Sequence, residues 1–515
     1  MEFDQAIRMK INDPAIHNIY LHLSNASKTA YEDNYLLSNA VYAKSDLDRS
    51  LLDSYLAGKE VEHTSILYKS KKFLHYFSKS IGWLVVHWMQ GCVHTISRQK
   101  FIPDSSKPLM IIDVPMRIEK VIMDNNFTDH YFPCLEQRLQ LRGMSYSYTP
   151  KLSIKNSPKR YFHFFRLIKN QNRPILFDFQ LFGLIDYLKM FKFILVYPFR
   201  VFRKIRKLTN SREDSLLRNF LWEAMDHATV RSYARQLFGQ HISKFNAPSI
   251  KCVSWYENQP RDKNFFKGLR FVSKKIFIYG AQLFNWAPTL LNIHVDEYEK
   301  KFNLVPDSIL VNGRYYLKDK SSIDFKVGPS MRYAKLFKSQ VDVSNKKPVL
   351  VLMPFIENEI GKIIELINKA KLATDIFVKF HPETDAEKYK SLLEINMQLV
   401  EGSLYTLLSQ VRCVIGKSNG ALVEAASLGV PVINLEIGAG VGHNFFPDFG
   451  KGILWKSASS GEEIIKRVNE FQELLLTDKE KILAMACKYR EMLFCEPSDE
   501  RIDAAFGLND LGLPK

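Results

Sequence analysis

From residue 348 onward the chain repeats one unit: a short apolar run, a polar tip, then an amphipathic stretch. The runs are 348–355 (PVLVLMPF), 375–382 (DIFVKFHP), 412–419 (RCVIGKSN) and 430–436 (VPVINLE). A strand that is apolar at every position, not at every second one, is covered on both faces, and that is the habit of parallel sheets. Stretches of helical spacing at 359–370, 386–395 and 420–429 separate the runs. Strand–helix alternation of this kind builds a doubly wound α/β domain, with ligands held at the carboxyl ends of the strands.

Residues 250–333 follow the same grammar less regularly. The segment 252–259 (CVSWYENQ) runs into a helix start near Asp262, and 274–282 (KKIFIYGAQ) ends in a turn. Segments 306–313 and 325–329 each end on glycine-containing turns. The first 250 residues or so are rich in Tyr and Phe and irregular in pattern, and the first 90 of them read mostly as helix. The segment 109–114 (LMIIDV), carrying Asp113, and 174–178 (PILFD), carrying Asp178, are the strand candidates there, and 216–238 has helical apolar spacing. At 515 residues the chain exceeds one ordinary core. We expect an N-terminal domain over 1–335, a second domain over 336–490, and a C-terminal helix and tail over 491–515 that packs back on the first.

Lys and Arg number 72 against 55 Asp and Glu, a net charge of +17 with a pI near 9.3. Such a surplus suits anionic substrates or an anionic membrane face. No zinc finger, RNP signature or Arg-rich tail is present, so nucleic acid is not expected as a partner. Six scattered cysteines without CxxC spacing fit a reducing compartment and no disulfide scaffold. No apolar signal core opens the chain, and the longest apolar runs, 81–89 and 193–199, fall short of a membrane span. The segment 187–208 (YLKMFKFILVYPFRVFRKIRKL) instead interleaves apolar and cationic residues, as a helix lying in the headgroup region does. Pro198 is expected to divide it into two elements. The expected location is the cytoplasm, either in the cytosol or peripheral on the cytoplasmic face of the inner membrane.

Three constellations carry chemistry. Lys379, His381 and Pro382 close one apolar run, which sets a cation and a hydrogen-bond donor at the sheet edge. Ser418, Asn419 and Gly420 precede a helix whose free N–H groups attract an anion, and Glu424, one turn in, can accept from ribose hydroxyls. Glu257 follows an apolar run beside Asn258 and Gln259, residue types that bind sugar hydroxyls. A carboxylate there serves as base toward an acceptor alcohol in an inverting transfer, or as nucleophile in a retaining one. Gln282 and Arg332 are further substrate-binding candidates, and Asp113 and Asp178 compete with Glu257. The only DxD, at 46–48, lies in a polar N-terminal segment, and no His/Cys cluster has zinc spacing, so no metal is expected. The glycine-rich 438–442 segment lacks the GxGxxG spacing of a dinucleotide loop, and no P-loop or GxSxG is present.

The elements at 379–382 and 418–424 resemble those of GT-B glycosyltransferases of bacterial surface polysaccharides, above all the group using cytidine-nucleotide donors: Kdo transferases, bacterial sialyltransferases and CDP-glycerol polymerases. The pieces at 256–259, 280–282, 306–313 and 327–333 are similar to surface-carbohydrate biosynthesis proteins. The resemblance implies an α/β GT-B fold, two Rossmann-like domains around a central cleft, with Lys379, His381, Pro382, Ser418, Asn419, Gly420 and Glu424 on the donor nucleotide. Position 419 departs from the Ser-Ser or Ser-Thr of that group. The resemblance further implies a nucleotide sugar, most often a CMP-linked ulosonic acid, as donor, no cofactor, and a lipid-linked or oligosaccharide acceptor. Glu257 and His381 are then the expected catalytic residues. A CDP-glycerol-type polyol-phosphate transferase, a UDP-sugar epimerase of the same shape and a non-catalytic scaffold of an assembly complex are the alternatives.

Overall fold

A computed structural model describes residues 8–45, 47, 49–59, 65–97, 104, 106–153, 158–171, 173–272, 276–318, 321–341, 348–354, 357–382, 384–417, 419–437 and 442–509. Of the positions singled out above, Asp46, Asp48, Ser418, 438–441 and the tail from 510 lie outside them.

Two six-stranded sheets, each wholly parallel, organise the chain. The first contains β1 (Leu109–Asp113), β3 (Ser145–Tyr148), β5 (Ile250–Trp255), β6 (Ile276–Ala281), β7 (Ser308–Val311) and β8 (Asp324–Val327), in the order β3-β1-β5-β6-β7-β8. A small parallel pair, β2 (Pro115–Arg117) and β4 (Lys151–Ser153), extends from its edge. The second contains β9 (Val349–Leu352), β10 (Ile376–Lys379), β11 (Met397–Leu399), β12 (Cys413–Gly416), β13 (Val432–Leu435) and β14 (Trp455–Ala458), in the order β11-β10-β9-β12-β13-β14. Counted within each sheet these are 2-1-3-4-5-6 and 3-2-1-4-5-6, and the second is the doubly wound order of dinucleotide-binding folds. Each order reverses at one point, between β1 and β5 and between β9 and β12, and crevices open at such points. Strands β1, β7, β9, β12 and β13 are buried at every position, which is why β9 and β12 read as unbroken apolar runs and the others carry a single buried polar residue each, Asp113, Ser308 and Asn434.

A helical layer covers the first sheet. Helices Pro14–Lys28, Ile66–Ser97, Leu184–Ile205, Arg212–Glu223 and Ala228–Ile242 share a core that includes Ile19, Leu23, Phe193, Tyr197 and Phe220. The helix Leu184–Ile205 runs unbroken through Pro198, contrary to expectation. A proline removes the hydrogen bond to the carbonyl four residues back, here Ile194. That carbonyl accepts instead from the Tyr76 hydroxyl at 3.3 Å, so the helix survives inside a packed layer. Two other expectations change. The 174–178 run makes only an isolated bridge, Tyr148 to Ile175, before a short 3-10 turn, and 216–238 divides at 224–227 into two helices.

The end of the chain returns to the first lobe. Helix Lys479–Leu493 passes against Gly313, where a Cβ would lie 2.4 Å from the Leu493 carbonyl carbon, so only glycine fits this crossing. Helix Asp499–Ala505 then docks on the first sheet. Ile502, Phe506 and Leu508 join its core, and the Arg138 Nε donates to Asp503 at 2.9 Å.

Candidate functional site

The carboxyl edges of the two sheets meet. Asn285, just beyond β6, donates its side-chain amide to the Gly420 carbonyl, just beyond β12, at 3.1 Å. Close by, Thr289 Oγ1 lies 2.8 Å from His443 Nδ1. The carboxyl edges of the two sheets are therefore in contact through the segment that follows β6.

On the second lobe, Lys379 ends β10 and donates to the Gly402 carbonyl at 2.9 Å; His381, half-buried, and Pro382, exposed, follow. Asn419 caps helix Gly420–Ser427, its Oδ1 accepting from Ala421 N at 3.0 Å. These two tips flank the end of β9, at the point where strand order reverses. Lys417, in the same turn, is spent on Glu359 (2.8 Å) and the Ile437 carbonyl (2.6 Å). Glu424 accepts a hydrogen bond from the Tyr405 hydroxyl and has no ion pair to a described cation. Burial raises its carboxyl above the ordinary value, against the pull of that hydrogen bond and of the Arg332 charge. Arg332 belongs to the first lobe, so it and Glu424 sense one another across the cleft. Its guanidinium donates to the Leu283 carbonyl at 2.7 Å and lies 5.8 Å from the Tyr131 ring centre and 5.9 Å from that of Trp255. The Tyr131 phenol in turn feels both Arg332 and Glu257.

On the first lobe, a cavity of about 520 Å³ opens beyond the carboxyl ends of β3 and β5, beside the start of β4, walled on the far side by the helical layer. Glu257, Gln259 and Arg261 line it from the β5 tip, and Arg231 and Arg235 from helix Ala228–Ile242. That helix touches helix Pro260–Leu269 through two glycines: a Cβ on Gly268 would sit 2.2 Å from the Gln236 carbonyl oxygen. The close approach places Arg231 and Arg261 on the same cavity. Glu257 is partly exposed there, its carboxylate 3.8 Å from Arg261. Its backbone is held on both sides, its N–H donating to Asp262 at 3.3 Å and its carbonyl accepting from Asn292 at 2.5 Å.

Apart from Arg231, the other charges on the wall are paired. Asp178 lies 3.1 Å from His87, Glu223 2.7 Å from Lys72, and Asp226 2.7 Å from His227. Lys151 bridges Asp113 (3.0 Å) and Asp262 (2.8 Å), and Arg235 holds the other Asp113 oxygen at 2.6 Å. Asp113 is thus wholly committed within the core, and the Asp178–His87 pair is the second acid–base group facing the cavity.

Asn258 and Gln282 face inward. Asn258 is fully buried in a left-handed turn (φ 54°) and donates to the Asn292 carbonyl at 2.7 Å and to Glu299 at 2.9 Å. Gln282 donates to the Phe284 carbonyl (3.0 Å) and accepts from Asn312 N (2.9 Å). Both shape the loops that carry Glu257 and Arg332. Sequence reasoning missed Tyr131, Tyr405, Asn285 and Arg231; each gains its place from a contact distant in the chain, and no local pattern marks it. Among the described residues no group of three or more His, Cys, Asp or Glu is arranged to hold a metal ion.

No protein-family model and no curated protein matches the chain. Solved structures do. MurG of Acinetobacter baumannii is similar at 12% identity and a TM-score of 0.40, over 79% of this chain and 100% of that one. UDP-GlcNAc 2-epimerase of Neisseria meningitidis, bound to UDP-GlcNAc, is similar at 13% and 0.43, over 77% and 99%. The glycosyltransferase SnogD of Streptomyces nogalater is similar at 14% and 0.34, over 79% and 99%. Likeness this distant transfers no substrate and no residue role. The strand orders and the facing sheet edges stand by themselves: two Rossmann-like α/β lobes around a cleft, the GT-B arrangement.

Proposed function

We propose that the protein is a glycosyltransferase that moves a sugar from a nucleotide donor onto an envelope-glycan acceptor. The observation that carries this reading is Glu424: a recessed carboxylate with no ion pair to a described cation, one turn into the helix at a switch-point crevice, opposite Arg332 of the first lobe, whose neighbour Tyr131 also feels the Glu257 carboxylate. The nucleotide occupies the second lobe. Glu424 accepts from its ribose, and Asn419, Gly420, His381 and Lys379 meet its phosphate. In the reaction the acceptor hydroxyl loses its proton to Glu257 as its oxygen bonds to the anomeric carbon. The electron pair of the sugar–phosphate bond leaves with the nucleotide, whose new charge His381 and the helix N-terminus stabilise. The donor is a CMP-linked ulosonic acid, a choice that rests on the Lys379-x-His381-Pro382 resemblance.

Thermal unfolding with CMP, CDP, UDP, GDP and ADP tests the donor site. A ligand at a hundredfold excess over Kd adds about 2.7 kcal/mol of apparent stability. CMP is expected to raise the midpoint, and Glu424→Ala to abolish the rise. A selective response to UDP keeps the transferase and replaces the donor; a folded protein that answers to no nucleotide overturns the reading.

The acceptor is lipid-linked and reaches the cavity from an anionic bilayer on which the helical layer rests. Helices Ile66–Ser97, Pro158–Asn170 and Leu184–Ile205 contain one acidic residue between them, Asp186, and it is buried. The first and third lie side by side and antiparallel, with Phe73 stacked on Phe202 and Tyr76 against Tyr197. Away from that contact, Leu67, Leu74, Ile81, Val85 and Trp88 form one exposed stripe and Leu184, Leu188, Phe191, Leu195 and Phe199 another, with Leu74 69% and Phe199 64% exposed. Lys71, Lys79, Lys192 and Arg203 flank them. Apolar stripes bordered by cations, with no exposed acid, match the headgroup region of an anionic leaflet. No helix among the described residues is long and apolar enough to cross a membrane. The protein is expected to cosediment with vesicles containing phosphatidylglycerol and not with pure phosphatidylcholine. Leu188→Glu with Phe191→Glu should release it; equal retention on both vesicles, or by the double variant, overturns the membrane assignment.

A further inference from the structure

Arg231 stands apart from every other charged group on the cavity wall. Among the described residues it forms no ion pair with a carboxylate, and its guanidinium makes one long hydrogen bond, Nη2 to the Leu152 carbonyl at 3.4 Å. Burial, and then repulsion from Arg261, lower its affinity for its proton; Asp178 and Asp226 attract it only from a distance. A guanidinium with this little compensation in a recess is costly unless something with negative charge arrives. The lining of one cavity thus holds both this poorly compensated guanidinium and the Glu257 carboxylate.

We propose that this cavity takes an acceptor carrying an anionic substituent, a carboxylate or a phosphate, which Arg231 binds with Arg261 beside it. The anion draws Arg261 away from Glu257, which it approaches only to 3.8 Å, and so weakens the hold of that cation on the carboxylate that accepts the hydroxyl proton. The acceptor is an acidic glycan, and a neutral sugar of the same size leaves Arg231 uncompensated and binds more weakly. The assignment rests on Glu257 being the acceptor-side base.

Ligand-observed NMR on the full chain, with glucuronate, glucose 6-phosphate and glucose as probes at ~10 mM, tests this. At least one acidic probe is expected to bind about tenfold better than glucose, the worth of one charge-assisted hydrogen bond. Arg231→Gln should erase the preference, and Glu257→Gln, which releases Arg261 and removes a negative charge from the cavity, should keep or strengthen it. A preference for glucuronate alone identifies a carboxylate, and one for glucose 6-phosphate alone a phosphate. Equal binding of all three probes, no binding of either acid, or a preference that survives Arg231→Gln overturns the proposal. Nucleotide binding is measured in the same samples. If it persists while the acidic preference is absent, only the acceptor assignment falls; if nucleotide binding is absent too, the transferase reading falls with it.

Discussion

Glu257→Gln is expected to lower the rate of sugar transfer by roughly two to four orders of magnitude, the usual worth of a positioned general base. Nucleotide affinity and unfolding midpoint should stay close to those of the unaltered protein. The separation follows from how the loop is built. Its shape depends on the backbone of residue 257, fixed by Asp262 and Asn292, and on the amide of Asn258. The Glu257 carboxylate points into the cavity, 3.8 Å from Arg261. Glutamine keeps the size and loses only the proton acceptor. The measurement is steady-state transfer with the donor that the nucleotide panel selects. A rate within about tenfold of the original removes Glu257 from the base role. Asp178 would then be its successor, since with His87 at 3.1 Å it is the other acid–base pair on the cavity wall. Asp178→Asn would carry the loss instead.

Much of the second lobe could be read from the sequence because its strands are buried on both faces. Val349–Leu352, Cys413–Gly416 and Val432–Leu435 have no solvent-facing position to interrupt an apolar run, and their polar tips mark the crevice directly. The first lobe hides more. Its β5 tip reads Tyr-Glu-Asn-Gln, four residues with similar claims on a sugar, yet the left-handed turn at Asn258 sends alternate side chains to opposite fates. Glu257 and Gln259 reach the cavity, while Tyr256 and Asn258 enter the core. Nothing local distinguishes them, because the deciding partner of Asn258 is Glu299, far along the chain. Pro198 teaches the same point: the rule that breaks a helix at proline assumes an orphaned carbonyl, and Tyr76 supplies the missing donor from another helix. Tyr405 and Tyr131 matter through groups on other elements, so composition and spacing could not single them out.

Glu299→Gln should cause the largest loss of stability, about 3–5 kcal/mol, the range for breaking a buried ion pair from one side. Glu299 is fully buried and accepts from Lys44 (2.7 Å), Lys263 (2.7 Å), Tyr31 (3.0 Å) and Asn258 (2.9 Å). Lys44 and Tyr31 come from the helical layer, Lys263 and Asn258 from the segment that follows β5. One carboxylate therefore ties the layer to the loop that carries Glu257. Burial alone would raise its pKa, but the Lys263 and Lys44 ammonium groups override that and bring it from 4.5 down to about 2. A carboxyl depressed in the folded state contributes stability that is fully present above its unfolded value and is lost as pH falls through the folded one. The contribution of Glu299 should thus hold above about pH 4.5 and fade toward about pH 2. Denaturant unfolding at neutral pH and again near pH 3 checks both parts. The variant should unfold at lower denaturant, and the gap from the parent should narrow at the acid end. Lys263→Met added to Glu299→Gln should recover part of the loss, because one fewer ammonium is left buried without a counter-ion. A Glu299→Gln protein as stable as its parent would show that the two lysines find other compensation, and the layer and the Glu257 loop would then have to be joined by apolar packing alone.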